Sequence, residues 1–502
     1  MPARKTSKGS TRRRSARSPK ARGTATTRGA RQRTEIRAWQ DDPDSGLEPV
    51  TRPEPQLGVE PLAVSIGGPS VPPRTYVRHS HDFRYWTAAE ALRRGAEYWS
   101  GIVPSGTTWE RGSPLVANLE AGEELNAYYD REGLSFFHKR VGRYTIYSGE
   151  SPDVVCHELG HAVLDALKPE LFDTASVEVA AFHESFGDCS ALLSALQLPT
   201  VRDGLLEETE GQLYKTSRVS RLAEQLATGI RRSRPDLVEP DCLRNAVNSF
   251  VYQVPEDLPH SAPSWMLSSE PHSFSRVFTA GFFEALAKML ALTGDAPTGD
   301  DLLAVAQDAG RLLVAGTVAA SVVPDFYSQV AANMVQADDE LFRRKYGDSL
   351  KSAFVRRGIL SLDSLQLLGS SPQRRRRAGR PAGVAASMDV GGNGPLPMVS
   401  IRAARFGLGD QALAVVAPTG TKLLDVRGAA FMLGPVASPP AEEATKSFVE
   451  DLFKRGRVDI QEFGDAHTRL VHPGVRKTHE IASGKDGLLL VRRAFDCGFG
   501  YD

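Results

Sequence analysis

Two histidines separated by three residues are the part of the sequence best suited to chemistry. His157 and His161 lie in the run DVVCHELGHAVLDAL, in which apolar residues recur at helical spacing. Side chains at positions i and i+4 of a helix project from the same face, so both imidazoles can bind one metal ion. Glu158 lies one residue round from that face, where its carboxylate can take a proton from metal-bound water and pass it to a leaving group. The run therefore predicts a hydrolytic metal site.

A second run, VEVAAFHESFGDCSALL, offers the acids that such a site needs. A catalytic zinc ion takes three protein ligands and keeps a fourth position open, and Glu184 would complete the set. Asp188, one turn further on, could accept the free N–H of His157 and fix its tautomer. The alternative is that both acids face solvent, but the run is apolar on several sides and buried acids need partners. His183 is a competing ligand that projects about 100° away from Glu184 on the helix, so it is left out.

The elements that must hold these residues are mainly helical. The pattern predicts a helix over 87–100 and short strands over 125–147 around a turn at 130–133. Further helices are expected near 153–167, 177–196, 276–294, 299–320 and 325–357. The fold class predicted is α+β, with a packed helical bundle behind a smaller mixed region.

Composition divides the 502 residues into five ranges, consistent with roughly two or three folded domains. Residues 1–38 form a basic tail that we expect to be disordered, and 39–74 a Pro-rich linker or short pro-segment. Residues 75–362 would be the catalytic domain and 363–398 a basic, Gly-rich linker. Residues 399–502 are expected to form a small α+β module whose role the sequence does not reveal.

Overall charge and cysteine content exclude several classes of protein. The formal net charge is zero, so no global field directs the chain to nucleic acid or acidic lipid. The four cysteines include no CxxC pair, which is typical of reduced thiols rather than a disulfide framework. No run of about 18 apolar residues and no secretory signal are evident. We expect no membrane span and a cytoplasmic location by default, with non-classical export as the alternative.

The motifs together resemble the thermolysin-like gluzincins, the family of neutral zinc metallopeptidases. In that family HExxH is followed by Glu-x-x-x-Asp on the next helix, as Glu184 and Asp188 follow His157 here. The similarity runs from about residue 75 to about 362, ending at KYG (345–347). It implies a two-lobed metallopeptidase with a mixed N-terminal lobe that has an edge strand, a mainly helical C-terminal lobe and one catalytic zinc ion. An extended peptide or protein would be the substrate.

The resemblance also implies roles for residues outside the two helices. The segment NAYY resembles the family's edge strand, so Asn126 through its side chain and Ala127 through its backbone would hold the substrate main chain. Arg244, in CLR, resembles the arginine that reaches the substrate carbonyl on the leaving-group side. His272 heads HSFSRVFTAGFF and would stabilise the transition state. Asp153 precedes the first histidine as it does in the family.

Several positions depart from the family pattern. Phe172 stands where the family has a tyrosine that donates to the oxyanion, and a phenyl ring has no hydroxyl. Leu267 replaces the acid that supports the transition-state histidine, and Glu270 is an open candidate to stand in. Ala195 occupies a position where the calcium site needs an acid, so calcium is not predicted. Loss of one oxyanion donor commonly costs about two to three orders of magnitude in rate.

Two functions from different classes follow. The first is a zinc-dependent endopeptidase in which Glu158 activates metal-bound water and His272 stabilises the oxyanion. The alternative is a weakened or inactive zinc-containing protein that binds peptides without cutting them. The basic tail and the arginines at 374–377 add a third hypothesis, weak contact with a polyanion such as nucleic acid.

Overall fold

A computed structural model describes residues 34–363, 395–421, 427, 437–460, 463–464, 475–485 and 487–498. Most of the predicted basic tail, most of the predicted 363–398 linker and the arginines at 374–377 lie outside the described residues. The helices are α1 (His81–Ser100), α2 (Pro152–Leu167), α3 (Val177–Ala195), α4 (Pro199–Thr209), α5 (Glu224–Arg231), α6 (Pro271–Ala291), α7 (Gly299–Ala319), α8 (Phe326–Phe342), α9 (Gly347–Arg356) and α10 (Ala441–Lys454).

Within the described ranges, the strands are short and form two five-stranded sheets and three two-stranded ones. They are β1 (Glu35–Ala38), β2 (Val50–Pro53), β3 (Val64–Ile66), β4 (Leu115–Asn118), β5 (Ala127–Tyr129), β6 (Leu134–Phe136), β7 (His138–Val141), β8 (Tyr144–Tyr147), β9 (Arg221–Leu222), β10 (Arg244–Asn245), β11 (Met398–Arg402), β12 (Ala412–Val416), β13 (Val458–Asp459), β14 (His479–Gly484), β15 (Gly487–Arg492) and β16 (Phe495–Asp496). Helices and strands are thus mixed, as the α+β prediction requires.

The N-terminal sheet has the order β16-β5-β6-β4-β3. Strand β4 runs parallel to both β3 and β6, whereas β5 is antiparallel to β6. The hairpin of β1 and β2 packs its buried Ile36 and Ala38 against Tyr85, Trp86 and Ala89 of α1. The range predicted as a linker or pro-segment, 39–74, therefore contains β2 and β3 and is packed onto this lobe.

The helical lobe is a stack in which α2 packs on α3, α3 on α6, α6 on α9 and α7 on α8. One helix was expected over 325–357, but two are present. Arg343 and Arg344 both have positive φ, 55° and 68°, which ends α8. Asp338 then accepts hydrogen bonds from the backbone N–H of Tyr346, which precedes α9. The break is thus stabilised by a side chain eight residues upstream.

The C-terminal module has its own sheet, in the order β11-β12-β15-β14-β13, with α10 packed on it. Phe448, Val449 and Leu452 of α10 are buried, as are Leu413 and Ile481 of the sheet. After β15 the chain leaves this sheet, and β16 joins the N-terminal sheet beside β5. The last described strand therefore links the module to the edge of the N-terminal lobe.

Among the described residues, α7 is the one helix long and apolar enough to cross a membrane by length and composition. Of its most apolar window, 56% is buried inside the protein, and the helix packs on α8 and α6. This is typical of a core helix and is consistent with the predicted lack of a membrane span.

Candidate active site

Helix α2 presents the HExxH residues to the interior. Ser151 caps the helix by accepting a hydrogen bond from Val154 N–H, and Pro152 occupies its first turn, where a missing N–H costs nothing. His157, Glu158 and His161 are all buried, and one ligand atom from each lies within 4.8 Å of the others. Such a group could hold a metal ion.

Glu184 of α3 faces both imidazoles. Its carboxylate lies 3.4 Å from His157 Nε2 and 3.8 Å from His161 Nε2. Two atoms that bind one tetrahedral zinc ion, each about 2.0–2.1 Å from it, are about 3.3–3.4 Å apart. Within the described part of the chain, His157 Nε2, His161 Nε2 and Glu184 Oε2 find no hydrogen-bond partner, although all are buried. These buried atoms face one another at the spacing of metal ligands and lack hydrogen-bond partners, so the group fits a metal ion.

The protonation of the two imidazoles differs. Burial, followed by the neighbouring His157, holds the pKa of His161 well below its usual range, so its ring is neutral, the form that binds metals. Burial alone would also lower the pKa of His157, but Asp188 and Glu184 outweigh it and raise the pKa to about 9. Asp188 Oδ1 lies 3.1 Å from His157 Nδ1, on the side of the ring away from the ligand atom.

The close approach of α2 and α3 depends on two glycines. A Cβ on Gly160 would lie 2.9 Å from Gly187 Cα and 2.7 Å from Ser190 Cβ. A Cβ on Gly187 would lie 2.7–2.8 Å from three atoms of the His157 ring. Contacts this short are sterically forbidden, so glycine at both positions lets the ring lie between the helices.

Arg244 of β10 is paired with Asp188. Its Nη2 donates to Asp188 Oδ1 at 2.7 Å, and its Nε lies 3.2 Å from both carboxylate oxygens. Burial would raise the pKa of Asp188, but Arg244 and His157 outweigh it and lower the pKa. Arg244 Nη1 is buried and has no hydrogen-bond partner among the described residues, so a donor remains for a substrate carbonyl.

His272, near the start of α6, also faces Glu184. Its Nε2 is 3.3 Å from Glu184 Oε2, and its Nδ1 is 2.7 Å from Glu270 Oε1. Glu270 also caps α6 by accepting from Ser273 N–H at 3.0 Å. Leu267 is buried and carries no charge, and Glu270 is the acid at Nδ1 of this imidazole.

Glu158 contacts a residue that sequence analysis did not select. Cys497 Sγ lies 2.8 Å from Glu158 Oε1, and both side chains are buried. Burial raises the pKa of Glu158 to about 8, against the opposing effects of His157 and the Cys497 hydrogen bond. Cys497 had been interpreted only as one of four scattered structural thiols, because nothing local in sequence connects it with a residue 339 positions away.

The C-terminal strand β16 occupies the edge of β5 that was predicted to hold substrate. Ala127 O accepts from Cys497 N–H at 2.9 Å, and Asn126 Oδ1 accepts from Gly498 N–H at 2.7 Å. His272 Nε2 lies 2.5 Å from the carbonyl oxygen of Asp496. Three of the four residues that the resemblance assigns to a peptide main chain, Asn126, Ala127 and His272, therefore contact this one.

Phe172 and His183 lie behind the strand. The Phe495 ring stacks on His183 with centroids 3.9 Å apart and meets Phe172 edge-on at 5.5 Å. Burial holds the pKa of His183 well below its usual range, and neither ring nitrogen has a partner among the described residues. His183 is thus part of an aromatic wall, not of the group formed by His157, His161 and Glu184.

A second acidic group lies away from this site. Asp42, Asp153 and Glu224 are buried with carboxylate oxygens within 4.8 Å of one another, and this group could also hold a metal ion. Asp153 was singled out in the sequence, but Asp42 lies in the range predicted as linker. Ala195 is buried at the end of α3.

Comparison with known proteins adds little to this geometry. No family model matches the sequence, and no curated protein matches it. Among solved structures the chain is similar to the precursor of protealysin, a metalloproteinase from Serratia proteamaculans. The TM-score is 0.39 and the identity 17%, over 59% of this chain and 86% of that chain. Because the likeness is so distant, function is inferred from the site alone.

Proposed function

We propose that this protein is a zinc-dependent endopeptidase with the two-lobed organisation of the thermolysin-like gluzincins. The observation that carries the proposal is the meeting of Glu184 with both imidazoles at ligand spacing, with their lone pairs buried and unpaired. His157, His161 and Glu184 would hold the ion. When bound, zinc supplies Lewis acidity, which polarises a carbonyl and lowers the pKa of water.

Glu158 is the proposed general base. It follows a ligand on the same helix and is buried beside the group it would serve. Burial raises the pKa of Glu158, so its carboxylate is a stronger proton acceptor than an ordinary glutamate when it takes a proton from water for the departing amine. Its role is to move one proton, first from the attacking water and then to the leaving nitrogen.

Other residues would orient the peptide and balance charge. His272, held by Glu270, donates from Nε2 to the carbonyl oxygen on which negative charge develops. Arg244 offers its unpaired Nη1 to the next carbonyl. Asn126 and Ala127 hold the main chain by strand addition. The Phe172 side chain has no hydroxyl to donate, so the oxyanion would have one donor fewer than in the family pattern.

The test uses the full chain and a Cys497→Pro variant, because residues 495–498 lie across the site. Each is assayed with a quenched peptide and with casein, alongside its own Glu158→Gln counterpart, and zinc content is measured in all four proteins. We expect hydrolysis that a chelator abolishes and added zinc restores. Loss of the base should lower kcat by about 10² to 10⁴-fold with zinc content unchanged. Zinc-loaded proteins that cut neither substrate in either background would refute the peptidase.

The second candidate is a zinc-containing peptide-binding protein. The observation that favours it is the strand held at β5 opposite Phe172, a position without a hydroxyl. This function predicts that zinc-loaded Cys497→Pro protein binds a peptide of residues 491–498 with the same affinity whether position 158 is Glu or Gln, and releases it intact.

A further inference from the structure

The C-terminal strand lies in the candidate site in a defined register. Phe495 pairs with Tyr129 and Asp496 with Tyr128, antiparallel to β5. Cys497 N–H donates to Ala127 O and Gly498 N–H to Asn126 Oδ1. Every one of these hydrogen bonds uses main-chain atoms of the C-terminal segment, so the segment is bound as an extended peptide would be.

The position of His272 fixes which peptide bond faces the catalytic groups. Its Nε2 contacts the carbonyl oxygen of Asp496 at 2.5 Å, and the next amide, that of Cys497, bonds to β5. The group proposed to stabilise a developing oxyanion thus touches the carbonyl of the 496–497 bond. The 496–497 peptide bond therefore lies where the scissile bond of a substrate would lie.

We propose that the C-terminal segment 495–498 is a built-in inhibitor that fills the substrate groove in substrate register and keeps the enzyme latent. This inference rests on the proposed function. The inhibiting contact is the thiol of Cys497, whose Sγ lies 2.8 Å from Glu158 Oε1. The base needs a water molecule within hydrogen-bonding distance of its carboxylate. The sulfur of Cys497 lies at that distance, in the place that the water would take. A strand bound in this way is held but not cut.

The module positions the strand through contacts on both sides of the groove. Arg492 places its guanidinium over the Phe495 ring at 4.1 Å and donates from Nε to Phe172 O at 2.7 Å. Arg457 of the module donates to the Asp496 carboxylate. Backbone bonds from Ala175 N to Val416 O, and from Thr419 N to Val322 O, also join the module to the helical lobe. An inhibitor tethered to its target acts at an effective concentration of about millimolar or above.

The release variant is Cys497→Pro in the full chain. Proline removes both the N–H that bonds to Ala127 and the thiol that contacts Glu158. Two readouts are compared with the parent protein: hydrogen exchange at the amides of residues 127–129, and hydrolysis of a quenched peptide by the zinc-loaded proteins. We expect exchange and hydrolysis both to rise at least tenfold. Cys156→Ala, which truncates a buried thiol that contacts Ala91 O instead, is the matched control and should change neither.

The outcomes separate this inference from the proposed function. Faster exchange with equal hydrolysis by parent and variant overturns the inhibitor and leaves the peptidase standing. Faster exchange with no hydrolysis by either zinc-loaded protein refutes the peptidase, and the inhibitor with it. Equal exchange in both proteins shows that the strand is not held, and cleavage of the parent at 496–497 shows that it is a substrate; either result overturns the inference.

A second variant tests the same inference if the Cys497→Pro protein does not fold. Phe495→Ala removes the ring stacked on His183 while leaving Cys497 and the main-chain donors in place. It should raise exchange at 127–129 and hydrolysis in the same direction. A synthetic peptide of residues 491–498 should then inhibit this variant competitively, and a peptide with Cys497→Pro should inhibit it at least tenfold less. Equal inhibition by the two peptides would contradict the role assigned to Cys497.

Discussion

At the scale of single residues, the site is organised by two carboxylates that each fix an imidazole. Asp188 lies 3.1 Å from His157 Nδ1, and Glu270 lies 2.7 Å from His272 Nδ1. In both rings Nδ1 is engaged, so Nε2 is left for another partner, which is Glu184 and the proposed metal for His157 and the carbonyl of Asp496 for His272. Asp188 has a second partner in Arg244, which links the metal ligand to the residue proposed to hold substrate.

Asp188→Asn tests this linkage. The amide keeps the shape of the carboxylate but loses the charge that orients His157 and pairs with Arg244. We expect zinc affinity to fall by about 10 to 100-fold, as measured by competition with a chelating dye. A matched control is Asp173→Asn, whose carboxylate lies near Arg131 and outside the site. Unchanged zinc affinity in the Asp188 variant would show that His157 needs no partner.

At the scale of elements, the site depends on how closely α2 and α3 approach. Glycine at 160 and 187 removes the side chains that would separate the helices, and the His157 ring fills the space beside Gly187. Their contact is therefore part of the metal site and not only of the core.

Gly187→Ala should disturb the metal site more than the fold. The new methyl group would meet the His157 ring at 2.7–2.8 Å, so the ring must move. We expect zinc affinity to fall at least tenfold, with a loss of about 1–3 kcal/mol in the free energy of unfolding. Gly204→Ala on α4, where the nearest atom would be Arg218 Nη1 at 3.3 Å, is the control and should keep its zinc. Equal zinc affinity in both variants would contradict the packing explanation.

At the scale of the whole molecule, the N-terminal segment is attached to the start of α2 through buried acids. Asp42 accepts from Ser151 Oγ at 2.6 Å and from Gln225 N–H at 2.9 Å. Burial raises the pKa of Asp42 to about 7, and burial with the neighbouring Asp42 and Asp41 raises that of Glu224 to about 9. Three arginines face these acids and lower their pKa values: Arg94 and Arg218 face Asp41, and Arg221 faces Glu224.

Because these pKa values are raised in the folded state, the free energy of unfolding should depend on pH in a direction that can be stated in advance. Both acids hold protons in the folded state at pH values where the unfolded chain has released them, so the free energy of unfolding should fall as pH rises from about 5 to 9. Asp42→Asn removes one titrating group and should make the decline shallower by up to about 1.4 kcal/mol per pH unit. Urea unfolding of both proteins in metal-depleted buffer measures this. An identical slope would show that Asp42 does not titrate on unfolding.

The sequence predicts the parts of this site whose geometry is local. Spacing of i and i+4 brings His157 and His161 to one face, and α2 and α3 lie within one residue of their predicted ranges. Glu270 could be named only as a candidate, because a residue two positions before His272 can face it or turn away according to how α6 begins.

Contacts between distant segments could not be predicted in this way. Cys497 meets Glu158 because the chain leaves one sheet before β16 joins another, and no periodicity or spacing in the sequence encodes the pairing of two strands so far apart in the chain. The same holds for Asp42, which lies in a Pro-rich range with little helical or strand pattern but packs against α2 and α5. Composition predicts an extended linker or a short pro-segment there, and the packing of Asp42 could not be inferred from it.

Anomalous diffraction from zinc-loaded crystals at the zinc edge tests the central claim most directly. One peak per chain is expected, about 2.0–2.2 Å from His157 Nε2, His161 Nε2 and a carboxylate oxygen of Glu184. A peak located only among Asp42, Asp153 and Glu224, or no peak near Glu184 in protein that contains stoichiometric zinc, would contradict it.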